Sequence, residues 1–189
     1  MKNKSSSADL WKQLKRRTIL STPCIDVWED TIELPNGHII DDYSVVNLGD
    51  GVIVVATDEQ NNLITFREYK YAANEALLGF PGGGVEEGES PIAAAARELR
   101  EEARYETTEI EYIAPLHVYP SKIVHTNHVV RAYNVRRIAE PKHELTESIS
   151  EVELIHLDDI ARLQEQGEFN ATYLLAALAL TLPDYLKRP

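Results

Sequence analysis

Three glutamates carry most of the chemistry available to this chain. In the stretch Gly83 to Tyr105, GGVEEGESPIAAAARELREEARY, the residues Glu98, Glu101 and Glu102 stand at i, i+3 and i+4, a spacing that places all three on one stripe of a helix. Glu98 over Glu102 is a like-charge pair that weakens a helix unless a cation lies between them. Oxygen-only ligands select hard ions, and a few carboxylates that leave room for water and phosphate oxygens suit Mg2+, with Mn2+ as a substitute. Arg97 precedes the first of them, and a guanidinium can fix a neighbouring carboxylate by a forked hydrogen bond that a lysine makes less well. The competing reading of the same residues is a solvated acidic face on a surface helix.

A stripe of this kind needs a helix with a fixed start and a framework to face. Ser90 suits an N-cap, Pro91 the first helical position, and Ala93 to Ala96 is a run of strong helix former small enough to pack closely on a sheet. Upstream, the β-branched run Gly51 to Ala56 has the pattern of a buried strand, and Asp58 to Asn62 is a turn before Leu63 to Phe66. Arg67 to Tyr71 continues that strand, with cations at near-alternate places. Downstream, Ile110 to Leu116 and Val129 to Val135 read as strands separated by the loop Tyr119 to Asn127. Glu151 to Leu157 follows as a strand, Leu157 to Gln166 as a short helix, and Asn170 to Leu182 as an apolar closing helix stopped by Pro183. Strands on both sides of an internal helix, with a terminal helix for the other face, predict an α/β (α+β) fold, a mixed sheet sandwiched between helices in an α/β/α arrangement.

The N-terminal part reads differently. Met1 to Ser7 has the composition of a disordered lead, and Ala8 to Arg17 predicts a short basic amphipathic helix with Leu10, Trp11 and Leu14 on one side. Alternating residues from Cys24 to Leu34, a Pro35-Asn36-Gly37 turn and His38 to Ile40 predict a β-hairpin extension, and Tyr43 to Leu48 a further strand. The expected division is 1–48 for lead, helix and hairpin, and 49–189 for the main domain.

The stretch Gly83, five residues, Glu89, seven residues, then Arg97-Glu98-Leu99-Arg100-Glu101-Glu102-Ala103-Arg104-Tyr105 resembles the Nudix box, G-x5-E-x7-R-E-U-x-E-E-x-G-U. Several fixed residue types at fixed spacing make this a far more specific signal than a lone glycine fingerprint. The chain departs from the box at Arg104, where the family has glycine, and fills the final aliphatic place with Tyr105. A left-handed cap with a side chain costs about 1 kcal/mol, so a local change of the helix end is expected and the metal ligands are untouched. Phe66-Arg67-Glu68-Tyr69-Lys70-Tyr71, Phe80-Pro81-Gly82-Gly83 and Pro120 beyond the box look like the ADP-ribose pyrophosphatase branch of Nudix hydrolases.

That resemblance implies a Mg2+-dependent hydrolase of the pyrophosphate in a nucleoside diphosphate sugar, ADP-ribose first. It implies Glu98 and Glu102 as metal ligands, Glu101 as a ligand directly or through water, the Gly82 carbonyl as a further one, and Arg97 and Glu89 as orienting groups. Arg67 and Lys70 match basic residues that bind phosphate or the distal sugar; a solvated strand edge explains them equally well. Tyr43 and Trp28 fall where the branch places aromatics against the base, and stacking on a flat ring suits adenine or guanine alike; core packing accounts for Trp28 as well. Members of the branch form homodimers through crossed N-terminal strands, so a homodimer is expected. Gly79 and Asn127 stand where the branch has glutamates, the latter a catalytic one. Asn cannot take a proton, so His125, or hydroxide on a bound ion, is expected to replace that base. The alternative for His125 and His128 is a polar loop pair. Within enzymes, GDP-mannose, a dinucleoside polyphosphate and a damaged nucleotide remain alternative substrates, and a catalytically silent nucleotide sensor is the alternative of another class.

Composition bounds the partners. The 189 residues are 43% hydrophobic and 26% charged, which fits one ordinary globular domain with a small appended element. A formal net charge of -12 argues against nonspecific binding to nucleic acid or anionic membranes, which both need a basic surface. Cys24 is the sole cysteine, so no intrachain disulfide forms. No stretch reaches the roughly 18 apolar residues of a membrane span, and the opening residues lack the apolar core of a secretory signal. A cytoplasmic location is expected.

Overall fold

The computed structural model describes residues 10–138 and 152–186. The lead expected at Met1 to Ser7, and Glu151 at the start of an expected strand, lie outside them. In chain order the strands are β1 (Lys12–Ser21), β2 (Asp26–Glu33), β3 (Ile39–Asn47), β4 (Gly51–Ala56), β5 (Asn62–Lys70) and β6 (Glu75–Gly79). Helix α1 (Pro91–Glu102) follows, then β7 (Tyr105–Glu106), β8 (Ile110–His117), β9 (Ile123–Val124), β10 (Thr126–Ala132), β11 (Arg136–Arg137), β12 (Glu153–His156), α2 (Ile160–Glu165) and α3 (Thr172–Thr181). The chain divides into two compact units, one of residues 1–49 with 117–126, the other of 50–116 with 127–189.

The first unit holds a sheet in the order β1-β2-β3-β9. The expected hairpin is present as β2 and β3, closed by a turn in which Gly37 takes φ +80° and Asn36 Oδ1 accepts from the His38 N–H. The expected helix over Ala8 to Arg17 is not formed among the described residues: Lys12 to Arg17 belong to β1, an edge strand antiparallel to β2. Three acidic residues of β2 explain the difference. Lys12 pairs with Glu33 at 3.3 Å, Arg16 with Asp30 at 2.8 Å and Arg17 with Glu29 at 2.8 Å. Cross-strand partners of opposite charge thus override the 3.6-residue spacing of Leu10, Trp11 and Leu14.

In the second unit β4 is buried along its whole length and its side chains alternate between two cores. Ile53 and Val55 meet Ile160 of α2 and Leu174, Ala177 and Leu178 of α3, whereas Val52, Val54 and Ala56 meet Ala94, Ala95 and Leu99 of α1. That alternation follows from the period of two along a strand, and it places helices on both faces of β4. β4 pairs in parallel with β10, while β5 pairs antiparallel with β12 and β6 and touches β4 through the Thr57–Leu63 bridge. The mixed sheet between helices is therefore as expected. The short helix expected from Leu157 opens as a 3-10 turn, Leu157–Asp159, before α2.

Candidate metal and phosphate site

Helix α1 begins as its sequence dictates. The Ser90 side chain accepts from the Ala93 N–H at 3.2 Å, and Pro91 occupies the first turn. Ala94, Ala95 and Leu99 anchor one face against β4, which fixes where Glu98 and Glu102 can point. Ahead of the helix, residues 81–85 run beside β4: Val54 N–H donates to the Pro81 carbonyl, Val52 N–H to that of Gly83, and Val85 N–H to that of Asp50. Two glycines make the close approach possible. A Cβ on Gly82 would lie 2.3 Å from the Val52 carbonyl oxygen, and one on Gly83 would lie 2.3 Å from Glu98 Oε1.

Glu98 is only 8% exposed. Burial pushes its carboxyl above the usual carboxylate range, against the pull of Arg97. Glu102 accepts from the Gly82 N–H at 2.8 Å. Its carboxyl is nonetheless pushed up to about 7, first by burial and then by the charges of Glu98 and Glu68, with Lys70 opposing. Arg97 ties the rest together: it forks onto Glu89 at 3.0 and 3.1 Å, reaches Glu98 at 2.8 Å and Glu101 at 3.2 Å, and donates to the Gly84 carbonyl at 2.9 Å. Those bonds hold the Glu89 carboxyl below its ordinary value.

Among the described residues no group of three or more His, Cys, Asp and Glu side chains is gathered closely enough to cage an ion as it stands. Arg97 lies on Glu98 and Glu101, and Glu102 is turned to Gly82. The donors still fit a divalent ion. A buried and a partly buried carboxylate that repel each other gain from a cation between them, all donors are hard oxygens, and Mg2+ is commonly held by one or two carboxylates with water and substrate phosphates completing the shell.

Models of protein families match the chain over almost its whole length. A Nudix domain covers residues 47–178 and a nucleoside diphosphate sugar hydrolase N-terminal domain covers residues 11–46. The chain is a Nudix hydrolase. A methanol dehydrogenase activator of Bacillus methanolicus is 26% identical over 93% of this chain and 95% of its own. An ADP-ribose pyrophosphatase of Bacillus subtilis is 29% identical over the same shares. A crystal structure of an ADP compounds hydrolase superposes with a TM-score of 0.77 at 24% identity, covering 96% of this chain and 97% of that one, which establishes the fold. Nudix hydrolases as a family work with divalent metal ions.

Within this Nudix hydrolase the structure gathers Gly82, Glu89, Arg97, Glu98, Glu101 and Glu102. At the box departure Arg104 itself takes the left-handed conformation with φ +58°, and its carbonyl accepts from the Ile138 N–H. Arg67 donates to Glu153 at 3.1 Å and Glu168 at 2.6 Å, so acidic neighbours already hold it. Lys70 pairs with Glu68, beside Glu102. Tyr43, Trp28, Pro120 and His125 belong to the first unit. His125 Nδ1 meets the Gly49 carbonyl; a carbonyl only accepts, so Nδ1 carries a proton there. Asn127 lies in β10.

Sequence reasoning missed three groups. Glu68, two residues before Lys70 on the same face of β5, adds negative charge at Glu102, and Tyr173 of α3 has its phenol pushed up by burial and then by Glu68 and Glu102. The third, Lys122, sits over the Tyr43 ring. Strand alternation from Lys70 points to Glu68; nothing local points to Tyr173 or Lys122.

Proposed function

We propose that this Nudix hydrolase cleaves the pyrophosphate of a nucleoside diphosphate sugar, ADP-ribose first, to AMP and ribose 5-phosphate, with Mg2+ as its ion and Mn2+ as a substitute. The observation that carries the reading is the pair of buried Glu98 and partly buried Glu102, held against the Gly82–Gly83 backbone, each with its carboxyl pushed up chiefly by burial. A divalent ion bound there supplies neutralisation of phosphoryl charge and activation of the attacking water.

The side chains do the positioning. Glu98 and Glu102 would hold the ion with the Gly82 carbonyl, Glu101 would join directly or through water, and Arg97 with Glu89 fixes the orientation of Glu98. Lys70 opposes the negative charge at Glu102 and is placed to meet a substrate phosphate; Arg67 serves the distal sugar or phosphate to the extent that Glu153 and Glu168 release it. His125, or hydroxide on the bound ion, takes the proton that Asn127 cannot. Trp28, Tyr43 and Pro120 contribute to holding the nucleoside. The Bacillus subtilis relative is an ADP-ribose pyrophosphatase, which supports an ADP-containing substrate. We place the N-terminal element at 1–48 and the hydrolase domain at 49–189, with a homodimer formed through the N-terminal strands and a cytoplasmic location. No helix among the described residues is long and apolar enough to cross a membrane.

A panel of ADP-ribose, GDP-mannose, a dinucleoside polyphosphate and an oxidised nucleotide, run with Mg2+ beside Glu102→Gln, tests the reading. AMP released from ADP-ribose and lost in the variant supports it. Faster turnover of another member replaces the substrate. Asn127 and Arg104 favour a second reading, a nucleotide sensor; tight nucleotide binding with no turnover of any member would establish it.

A further inference from the structure

The first unit carries an open cleft of about 230 Å3 whose walls include Arg16, Trp28, Tyr43, Pro120, Ser121 and Lys122. Both of its aromatic rings are already capped by cations. The Arg16 guanidinium stands 4.1 Å from the Trp28 ring centroid, and the Lys122 ammonium stands 3.7 Å from that of Tyr43. These distances suit cation–π contact, and the rings are locked in place. Tyr43 O–H donates to the Ser121 carbonyl, and Trp28 Nε1–H donates to Asp30.

The two cations differ in what else they hold. Arg16 is neutralised by Asp30 through a fork of 2.8 and 2.8 Å. Lys122 is half-buried, and no carboxylate or carbonyl among the described residues accepts from its ammonium. A half-buried ammonium that lines a cleft and is held by a ring rather than by a carboxylate, in a chain of net charge -12, keeps a local positive charge in an otherwise acidic molecule. On the face that Lys122 caps, a neutral base would have to displace the ammonium to stack on Tyr43. A phosphate would instead meet the ammonium in place.

We propose that this cleft reads a phosphate group of the nucleotide, with Lys122 as its specificity-determining residue and Tyr43 as the platform that holds the ammonium. The role assigned to Tyr43 is thereby changed from stacking on the base to presenting a cation. The inference rests on the nucleotide substrate proposed above.

Calorimetric titration of the full-length protein in EDTA tests it without turnover, using adenosine, 5'-AMP and 2'-AMP as probes. The parent is expected to bind one of the two phosphates about ten-fold or more tighter than adenosine, with added salt removing the difference. Lys122→Met is expected to bind all three probes alike, and Lys122→Arg to restore the preference; unchanged circular dichroism confirms that both variants fold. The phosphate that shows the Lys122-dependent gain is the one read. Equal affinity of the parent for adenosine and both phosphates overturns the inference, as does a preference that survives in Lys122→Met. ADP-ribose turnover alongside a failed titration leaves the enzymatic reading standing. A Lys122-dependent preference without ADP-ribose turnover does the reverse.

Discussion

Replacing Glu102 by glutamine should stabilise the metal-free protein at alkaline pH while disabling it. Glu102 is pushed up to about 7 from a reference of 4.5, chiefly by burial. The difference is about 2.5 units, worth at most ~3 kcal/mol at 1.36 kcal/mol per unit, and residual solvent contact lowers that to roughly 1–3 kcal/mol. The sign follows from proton binding. The folded protein holds this proton more tightly than the unfolded chain, so its stability is greatest below about pH 4.5 and is lost as pH rises through about 7. Glutamine carries no such penalty, and its amide oxygen can keep the 2.8 Å bond from the Gly82 N–H. Urea unfolding in EDTA should therefore give parent and Glu102→Gln similar stabilities near about pH 5, and an advantage of roughly 1–3 kcal/mol to the variant near about pH 8. Added Mg2+ should raise the parent's stability at the higher pH and leave the variant's nearly unchanged. A variant equally stable or less stable than the parent at about pH 8 in EDTA would refute the claim that Glu102 is an anion held at a cost until a cation arrives.

Arg97→Lys removes the fork onto Glu89 and the reach to Glu98, Glu101 and the Gly84 carbonyl, so the Mg2+ concentration for half-maximal turnover should rise about ten-fold; an unchanged Mg2+ titration would show that Arg97 orients nothing. Gly83→Ala sets a Cβ against the Glu98 carboxyl and Gly82→Ala sets one against the Val52 backbone. The first should lose activity about 100-fold with its melting temperature nearly kept, whereas the second should lose ~2 kcal/mol of stability; thermal melts beside rate assays separate them. Asp30→Asn leaves the 44%-exposed Arg16 side chain without its charged partner and should cost ~1–2 kcal/mol in urea unfolding near neutral pH; no loss would assign Asp30 no part in holding β1. His125→Ala should lower kcat about 100-fold, and full turnover would remove His125 from the reaction.

What could be read from the sequence is what local chemistry decides. Helix α1 was legible because Ser90, Pro91 and the alanine run specify a start and an interior without outside help, and β4 because an unbroken β-branched run between turns has few other solutions. The carboxylate stripe was legible for the same reason: it depends only on helical spacing. β1 was not, because Lys12 to Arg17 become a strand only when Glu29, Asp30 and Glu33 lie across from them. β6 was missed because Glu75-Ala76-Leu77-Leu78 carries helix formers and is made a strand by pairing with Phe66 to Lys70. The partners of Arg67, Glu153 and Glu168, stand 86 and 101 residues away, and the contact of Lys122 with Tyr43 is likewise long-range. Arg104 shows the limit of pattern matching: a box that asks for glycine is met here by an arginine in the left-handed conformation, whose cost the Ala103 packing and the Ile138 hydrogen bond help to offset.

The central claim, that buried carboxylates on α1 hold a divalent ion against a pyrophosphate, is tested most directly by chromatography of the products formed from ADP-ribose. With Mg2+ the parent should yield AMP and ribose 5-phosphate in equal amounts, and neither in EDTA or from Glu102→Gln. AMP accumulating at the same rate in EDTA, or from the variant, would contradict it.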